Sequence, residues 1–507
     1  MRYPKYIFSI VLFFYCFSIV HSQQDLFNKI FADHKESSAY GIVENDNFYY
    51  IGGTLRDSID FADKIFIKRI PKVPLSYETK IWSIPNCHFC SYGRRTFIKT
   101  SDNGFAMIGY ISGYGYDTHG FLMKFNSNCD TLWMKHFYDT VSNINERFLR
   151  FFNFIETYDK GFIVVGQINA SGVHNNDIVL IKTDSFGNTK WFKTYGHTNT
   201  YDVGWSVAQT PDSGYLIGGY TKNYSILYSN DAYVIKIDKH GIVIWEEYLG
   251  GQREDGIAYV NIANDSNYLV AYSYAYKQET PGYASKELSV IKMRPNKQII
   301  WGKNYRIHRN SYVTSIFEAD NHEIIVSGKS YYYDQINHNS GDKAYIIRLT
   351  ENGDSIWCRN YFYLPDAFGD SWSDIYDIKP SLEGGLLACG RYQHHDLGID
   401  RSAWILKTDS NGSYTIGIDE YDTSLVNMEV CVFPNPASET ISVQLKRTPI
   451  NTLYFELFDI HGKIVRKLSI NSLYQKIPVI DLQNGVYLYR LRSNKNNLAN
   501  DKLVIMK

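Results

Sequence analysis

The sequence predicts an all-β chain: a seven-bladed β-propeller of four-stranded blades followed by a small β-sandwich. Three observations carry that expectation. Tryptophans stand at 82, 133, 191, 245, 301 and 357, spaced by 51, 58, 54, 56 and 56 residues. Upstream of each lies an apolar segment with one basic residue: Ile67-Lys68, Met123-Lys124, Ile181-Lys182, Ile235-Lys236, Ile291-Lys292 and Ile347-Arg348, with a seventh copy at Leu406-Lys407. An earlier segment of each copy ends in a small residue, at Gly53, Gly109, Gly166, Gly219, Gly328 and Gly390, with Tyr272 departing in the fifth. Self-similarity at such a period marks a repeat architecture.

One copy shows the mechanics. Residues 205–210, 215–220, 232–237 and 242–248 are apolar or aromatic runs with strand character. Pro211-Asp212-Ser213-Gly214 and Asp238-Lys239-His240-Gly241 are turns, and a longer polar loop separates the second and third runs. Four strands per copy in seven copies read as a propeller, against an eight-bladed ring or a β-solenoid, whose repeats are usually shorter. The seventh copy lacks an aromatic fourth strand; only Ser413-Tyr414 stands there. Leu26-Phe27-Asn28-Lys29-Ile30 fits the fourth-strand pattern and precedes Trp82 by a repeat length. It is expected to complete the last blade and remove an exposed edge.

A chain of 507 residues exceeds one ordinary compact core. Its formal net charge of −1 argues against nucleic acid or another polyanion held by bulk electrostatics. The N-terminus reads as an export signal: Arg2 and Lys5, an apolar run over 7–20, then Val20-His21-Ser22 before cleavage at Gln23. No later segment is apolar enough to span a bilayer, so no transmembrane anchor is expected after cleavage. The expected organisation is signal 1–22, propeller 23–415, linker 416–429 and a C-terminal module over 430–507. Cys87 and Cys90 are the only close cysteine pair; a zinc site would need a second pair, and a local disulfide and free thiols both stay open.

Positions filled in every copy serve the blade. The basic residues are expected to lay apolar stems over neighbouring strands with the charge in water, and the tryptophans to pack between blades. Alternating strand direction puts both sets of variable loops on one face, the usual place for binding. That face is expected to display Tyr114, Tyr116, Tyr224, Tyr228, Tyr331 and Tyr333, together with Glu146, Asp202, Asp255, Asp370 and Asp374. Tyr274, Tyr276, Tyr332 and Tyr392 are the candidate ligand-binding residues, suited to a glycan or a protein ligand. The alternative is a carbohydrate-active hydrolase or lyase that uses loop carboxylates. No catalytic residue, metal ligand set or cofactor motif is assigned. His394-His395-Asp396 has metal-ligand residue types without a partner visible in sequence.

Two resemblances follow from motifs. Asp184-x-x-Gly187-x-x-x-Trp191 and Asp238-x-x-Gly241-x-x-x-Trp245 resemble the tryptophan-docking repeat of quinoprotein propellers, one residue shorter between Asp and Gly; nothing marks a quinone site. The C-terminal module alternates polar and apolar residues over 441–445, 453–458, 463–468, 486–491 and 502–506, with a hairpin turn at 459–463. Pro434-Asn435-Pro436, then Leu457-Phe458-Asp459-x-x-Gly462-Lys463, then Leu482-x-x-Gly485-Val486-Tyr487 and a basic-apolar terminus follow in order. This resembles the type A sorting domain of type IX secretion cargo. The resemblance implies export to the outer surface or the medium, with the secretion machinery and a sortase-like peptidase as partners.

Overall fold

The computed structural model describes residues 27–31, 36–56, 63–72, 78–83, 95–112, 118–138, 148–169, 176–223, 230–251, 255–280, 283–307, 309–333, 340–362, 371–394, 399–414, 430–434, 436–445, 453–459, 463–472, 474–492 and 497–507. The expected export signal, linker and Cys87–Cys90 pair lie outside them. Every described element is a strand. Antiparallel pairing groups them into seven four-stranded units: 36–83, 97–137, 149–195, 200–249, 259–305, 309–361, and 371–408 together with Phe27–Phe31. Phe27–Phe31 pairs with Ile399–Thr408 and supplies the fourth strand that the seventh copy lacks. The seventh unit packs back on the first: the Ile42 amide donates to Asp377 (3.2 Å) and the Leu382 amide to Glu44 (2.9 Å). Phe31, Ala39 and Ile42 share a core with Leu387, Cys389 and Ile405.

The small residue of the second strand now has a cause. In five units the first strand carries a β-bulge, at Tyr40, Phe152, Trp205, Thr314 and Tyr376. A bulge turns one carbonyl onto the neighbouring strand. A Cβ on Gly166 would lie 1.9 Å from the Arg150 carbonyl, and one on Gly219 1.9 Å from that of Val203. The second and fifth units pair their first two strands without a register shift; the fifth has Tyr272 in the glycine's place, while the second keeps Gly109. Bulged residues meet across units: Tyr40 stacks on Tyr376 (5.2 Å, 9°) and Phe152 on Trp205 (4.3 Å, 12°). The space left among the first strands, beside Arg95, Asn153, Asn261 and Tyr376, is about 20 Å³. That is room for one water rather than a ligand.

The recurrent basic residues sit differently from expectation. Lys124, Lys182, Lys236, Lys292 and Lys407 are buried, and none holds its charge in water. Each pairs with an acid in the first-to-second turn of its own unit: Asp102, Asp159, Asp212, Asp265 and Glu383 respectively. Arg348 repeats the pairing with Glu323. Asp159 shows the whole clamp. It accepts from Lys182 Nζ (2.8 Å), Thr157 Oγ1 (2.6 Å) and the Gly161 amide (3.3 Å), while Lys182 also donates to the Thr183 carbonyl (2.7 Å). A buried ammonium needs such partners because desolvation alone would neutralise it. At Asp102 burial opposes ionisation, yet Lys124, Thr100 and the Gly104 amide outweigh it and hold the carboxyl down at about 2.

The tryptophans tie successive units together. Trp245 Nε1 donates to the Pro295 carbonyl and Trp301 Nε1 to that of Glu351, each at 3.0 Å, in the third-to-fourth turn of the next unit. Tyr195 and Tyr361 reach the same turns of their next units at the Gly241 and Gly412 carbonyls (2.9 and 2.7 Å).

The C-terminal residues form two sheets, one of three strands and one of four. Ile441, Val443, Phe455, Leu457, Leu491 and Leu503 fill the core between them. Sequence patterning missed two of the strands, Val430–Phe433 and Tyr474–Pro478. Buried Glu456 holds Lys467, Arg490 and Arg492 on the four-stranded sheet (3.0, 2.7 and 3.1 Å).

The clamp sets a stability test. Asp159→Ala strands a buried ammonium and is expected to lose about 2–3 kcal/mol in urea unfolding; Asp159→Ala/Lys182→Met should regain part of it. Against burial, Lys182, Lys190 and Thr157 lower the Asp159 carboxyl in the folded state, so wild type holds this stabilisation above the ordinary value of 3.8 and loses it as pH falls below that value. Unchanged urea midpoints in Asp159→Ala would refute the role.

Candidate functional site

The structure separates the predicted ligand residues. Tyr392 is fully buried, in the core with Ile375 and Trp404, so it is no surface platform. It stands on the strand Leu386–His394, whose pairing with strands on both sides covers it. Tyr274 is half-buried, its ring beside Gly251. Tyr276 is half-buried with the Arg306 guanidinium 4.5 Å over its ring, and Arg306 lies 3.9 Å from Glu287. Tyr332 pairs with Gly341 in the strand Ile324–Tyr333; its side chain lies outside the described part of the chain. Tyr114, Tyr116, Tyr224, Tyr228, Glu146, Asp370, His395 and Asp396 also lie outside it.

The loop carboxylates are structural anchors. Asp255 accepts from the amides of Ala275 (2.7 Å) and Gly251 (2.8 Å). Asp374 pairs with Arg391 (2.7 Å) and Lys329 (3.3 Å). Asp202 accepts from Thr200 Oγ1 (2.5 Å) and the His197 amide (3.0 Å), fixing the loop between the third and fourth units. That loop passes between two carboxylates: a Cβ on Gly196 would lie 2.3 Å from Asp177 and 2.9 Å from Asp202. Burial, then the charge of Asp202, holds the Asp177 carboxyl above its usual range.

Sequence reading overlooked the residues that this loop meets. Tyr233 and Tyr248 are directly opposed on adjacent strands of the fourth unit, and Glu246, two residues back, shares their face. The two rings stack at 4.9 Å and 7°. Tyr233 is buried and donates to Glu246 (2.6 Å). Asp202 lays His197 onto this face, 3.3–3.4 Å from the Tyr248 hydroxyl and 3.6 Å from Glu246. Burial, then the Glu246 contact, pushes the Tyr233 phenol well up. Tyr248 stays 49% exposed, so the stack presents one ring to solvent with an imidazole and a carboxylate beside it. The chain continues through Gly250 and Gly251 to the Tyr274 ring, making one strip on the variable-loop face of units 3 to 5. The signal missed in the sequence was a tyrosine three residues after Trp245, where the other described copies carry Thr, Asn or His.

A larger hollow, about 370 Å³, lies on the opposite, tight-turn face between the first two units, beside Asn45, Asn47, Tyr50, Arg69, Asn103 and Asn128. Several of its polar groups are already engaged. Asn45 Oδ1 caps the amides of Asn47 and Phe48, its Nδ2 donates to Tyr50, and Arg69 holds Glu78 at 2.6 Å. Among the described residues no group of three or more His, Cys, Asp or Glu converges as a metal cluster.

In the C-terminal module Pro434 and Pro436 are exposed, whereas Asn435 and Gly462 lie outside the described residues. Lys463 closes its turn through its amide on Asp459 Oδ1 (3.0 Å). Gly485 opens a strand in extended backbone, and buried Tyr487 donates to the Gln483 carbonyl (3.0 Å). Lys507 is tied to the Leu482 carbonyl and Asn484, which fixes the chain's last residue to the preceding turn.

Residues 431–506 match the family described as a secretion system C-terminal sorting domain. The C-terminal module is therefore a type IX sorting domain, and the chain is exported to the cell surface or extracellular space. A stretch of 175 residues is 25% identical to an endo-acting ulvan lyase of Formosa agariphila, over 32% of this chain and 31% of that protein. The match thus spans about a third of the relative. Among solved structures, PorZ, a surface component of the type IX secretion system of Porphyromonas gingivalis, superposes with a TM-score of 0.39 at 9% identity, covering 92% of this chain and 59% of that one. The polysaccharide lyase Uly1 gives 0.44 at 9% identity, over 73% and 90%. The β-propeller domain of the trilobed protease from Pyrococcus furiosus gives 0.40 at 10%, over 76% and 98%.

Burial separates two of the tyrosines experimentally. Tyr392→Ala is expected to cost about 3–5 kcal/mol, as for other buried aromatics. Tyr276→Ala should stay within about 1 kcal/mol. Equal losses by thermal or urea unfolding would contradict the placement.

Proposed function

We propose that the exported chain is a glycan-binding module whose ligand lies on the variable-loop face of units 3 to 5. The observation that carries this reading is the patch of Tyr248, His197 and Glu246, extended by Tyr274, Tyr276 and Arg306. A sugar offers an apolar C–H face and a rim of hydroxyls. An exposed tyrosine ring with a carboxylate, an imidazole and a guanidinium around it complements both. The partial similarity to an ulvan lyase supports a glycan over a protein as ligand class. The hollow on the opposite face is larger, but its engaged turn groups favour the strip.

A second reading, a carbohydrate-active lyase or hydrolase, is favoured by the contacts of His197. Its ring lies within reach of a phenol and a carboxylate, an arrangement suited to moving a proton. One experiment addresses both. The full chain is titrated with a panel of plant and algal polysaccharides, reading binding and the release of unsaturated or reducing ends. Tyr248→Ala and Tyr276→Ala should each weaken binding about five- to tenfold, the scale of a buried aromatic contact. Asn47→Ala and Arg69→Ala should leave it unchanged; the opposite pattern would place the ligand on the other face. End release that disappears in His197→Ala would establish the catalytic reading.

We also propose that the sorting domain is removed after export by a sortase-like peptidase. Mass spectrometry of the surface or released protein is expected to find a C-terminus within 416–429. Peptides reaching Lys507 in the mature form would refute removal.

A further inference from the structure

The second unit carries, at the variable-loop ends of its third and fourth strands, a pair of histidines that neither the repeat nor the strip explains. In the second unit the strands Thr118–Phe125 and Thr131–Phe137 run antiparallel, with Phe121 opposite His136. His119 stands two residues from Phe121 and so projects on the same face as His136. The two imidazoles meet there: Nε2 of His119 lies 3.2 Å from Nδ1 of His136. The Tyr138 ring stacks on His119 at 4.5 Å and 26° and lies 6.4 Å from His136, forming a wall on one side. His119 is half-buried and His136 exposed, so one ring is held by its surroundings while solvent reaches the other.

We propose that His119 and His136 form a two-imidazole site for a divalent transition metal ion. At 3.2 Å the facing nitrogens share a single proton, one donating and one accepting. In a tetrahedral site with metal–nitrogen bonds of 2.0–2.1 Å, two ligand nitrogens stand about 3.3 Å apart. The nitrogen separation therefore already fits a metal ion, and each ring needs only to turn until its lone pair aims at the ion instead of at the partner nitrogen. In the neutral pair the donor ring's proton moves through solvent to its outward-facing nitrogen, so that both facing nitrogens present lone pairs to the ion and each ring carries its one proton on the nitrogen that faces away. Imidazole ligands select zinc, copper and nickel over magnesium and calcium. With two protein ligands, the remaining coordination positions are filled by water or by an oxygen of an anionic molecule.

Calorimetric titration of the full chain with Zn²⁺ and Ni²⁺, after stripping with a chelator, tests the site. Cys87→Ser/Cys90→Ser serves as the background, so that no thiol of that close pair contributes to the signal. One ion per chain is expected. His119→Gln and His136→Gln should each weaken its binding at least tenfold, and the double variant should lose it. Tyr138→Phe keeps the stacked ring and should bind like wild type. With Cu²⁺, electron paramagnetic resonance should show two nitrogen ligands in the parent chain and fewer in either histidine variant. Equal stoichiometry and affinity in the parent and the double variant, with thermal unfolding unchanged, would overturn the proposal.

Discussion

The rest of the structure depends on one constraint: five of the seven units bury a lysine on their third strand and neutralise it with a carboxylate from their first-to-second turn, and a sixth pairs half-buried Arg348 in the same way. A buried ammonium keeps its charge only when ion-paired and fully hydrogen-bonded. The turn must therefore place a carboxylate at a fixed distance from the third strand. That requirement fixes turn length and makes one face of the ring uniform. The variable loops, free of it, occupy the other face. The division between a regular face and an irregular one is thus an electrostatic consequence of the blade interior.

A second regularity joins the units. Tryptophan and tyrosine side chains of a fourth strand hydrogen-bond to the third-to-fourth turn of the next unit, from the third unit through to the seventh. Closure then falls to Phe27–Phe31, whose Asn28 accepts from the Trp404 indole (2.5 Å). Inside, bulged aromatics stack in pairs, and the hollow described beside them is about 20 Å³.

The loop carboxylates illustrate how the same residue types serve different ends. Asp202, Asp255 and Asp374 looked like acid–base candidates because they are acidic and stand in variable loops. Asp202 and Asp255 instead accept hydrogen bonds that hold a loop in place, and Asp374, on the strand Ser371–Pro380, accepts from Arg391 directly across on the neighbouring strand. Their work is indirect: Asp202 sets the backbone that brings His197 to Tyr248. Tyr248 and Glu246 stand on the fourth unit's last strand, and His197 reaches them from the loop that precedes that unit.

The sequence by itself determined the repeat, its four-strand grouping, the strand donated from residues 27–31 and the sorting module. All of these are written in local periodicity and in short motifs such as Leu457-Phe458-Asp459. It also marked the small residue of the second strand, though not the bulge carbonyl that requires it. Tertiary structure decided the rest. Whether Lys182 lies in water or in a buried ion pair depends on a turn 23 residues away folding over it. Whether Tyr392 faces solvent or the core depends on strands pairing on both of its sides. The meeting of His197 with Tyr248 spans 51 residues and two units, and that of His119 with His136 crosses a hairpin. Burial and side-chain convergence are properties of packing between segments, and alternation along one segment carries no record of what lies across from it.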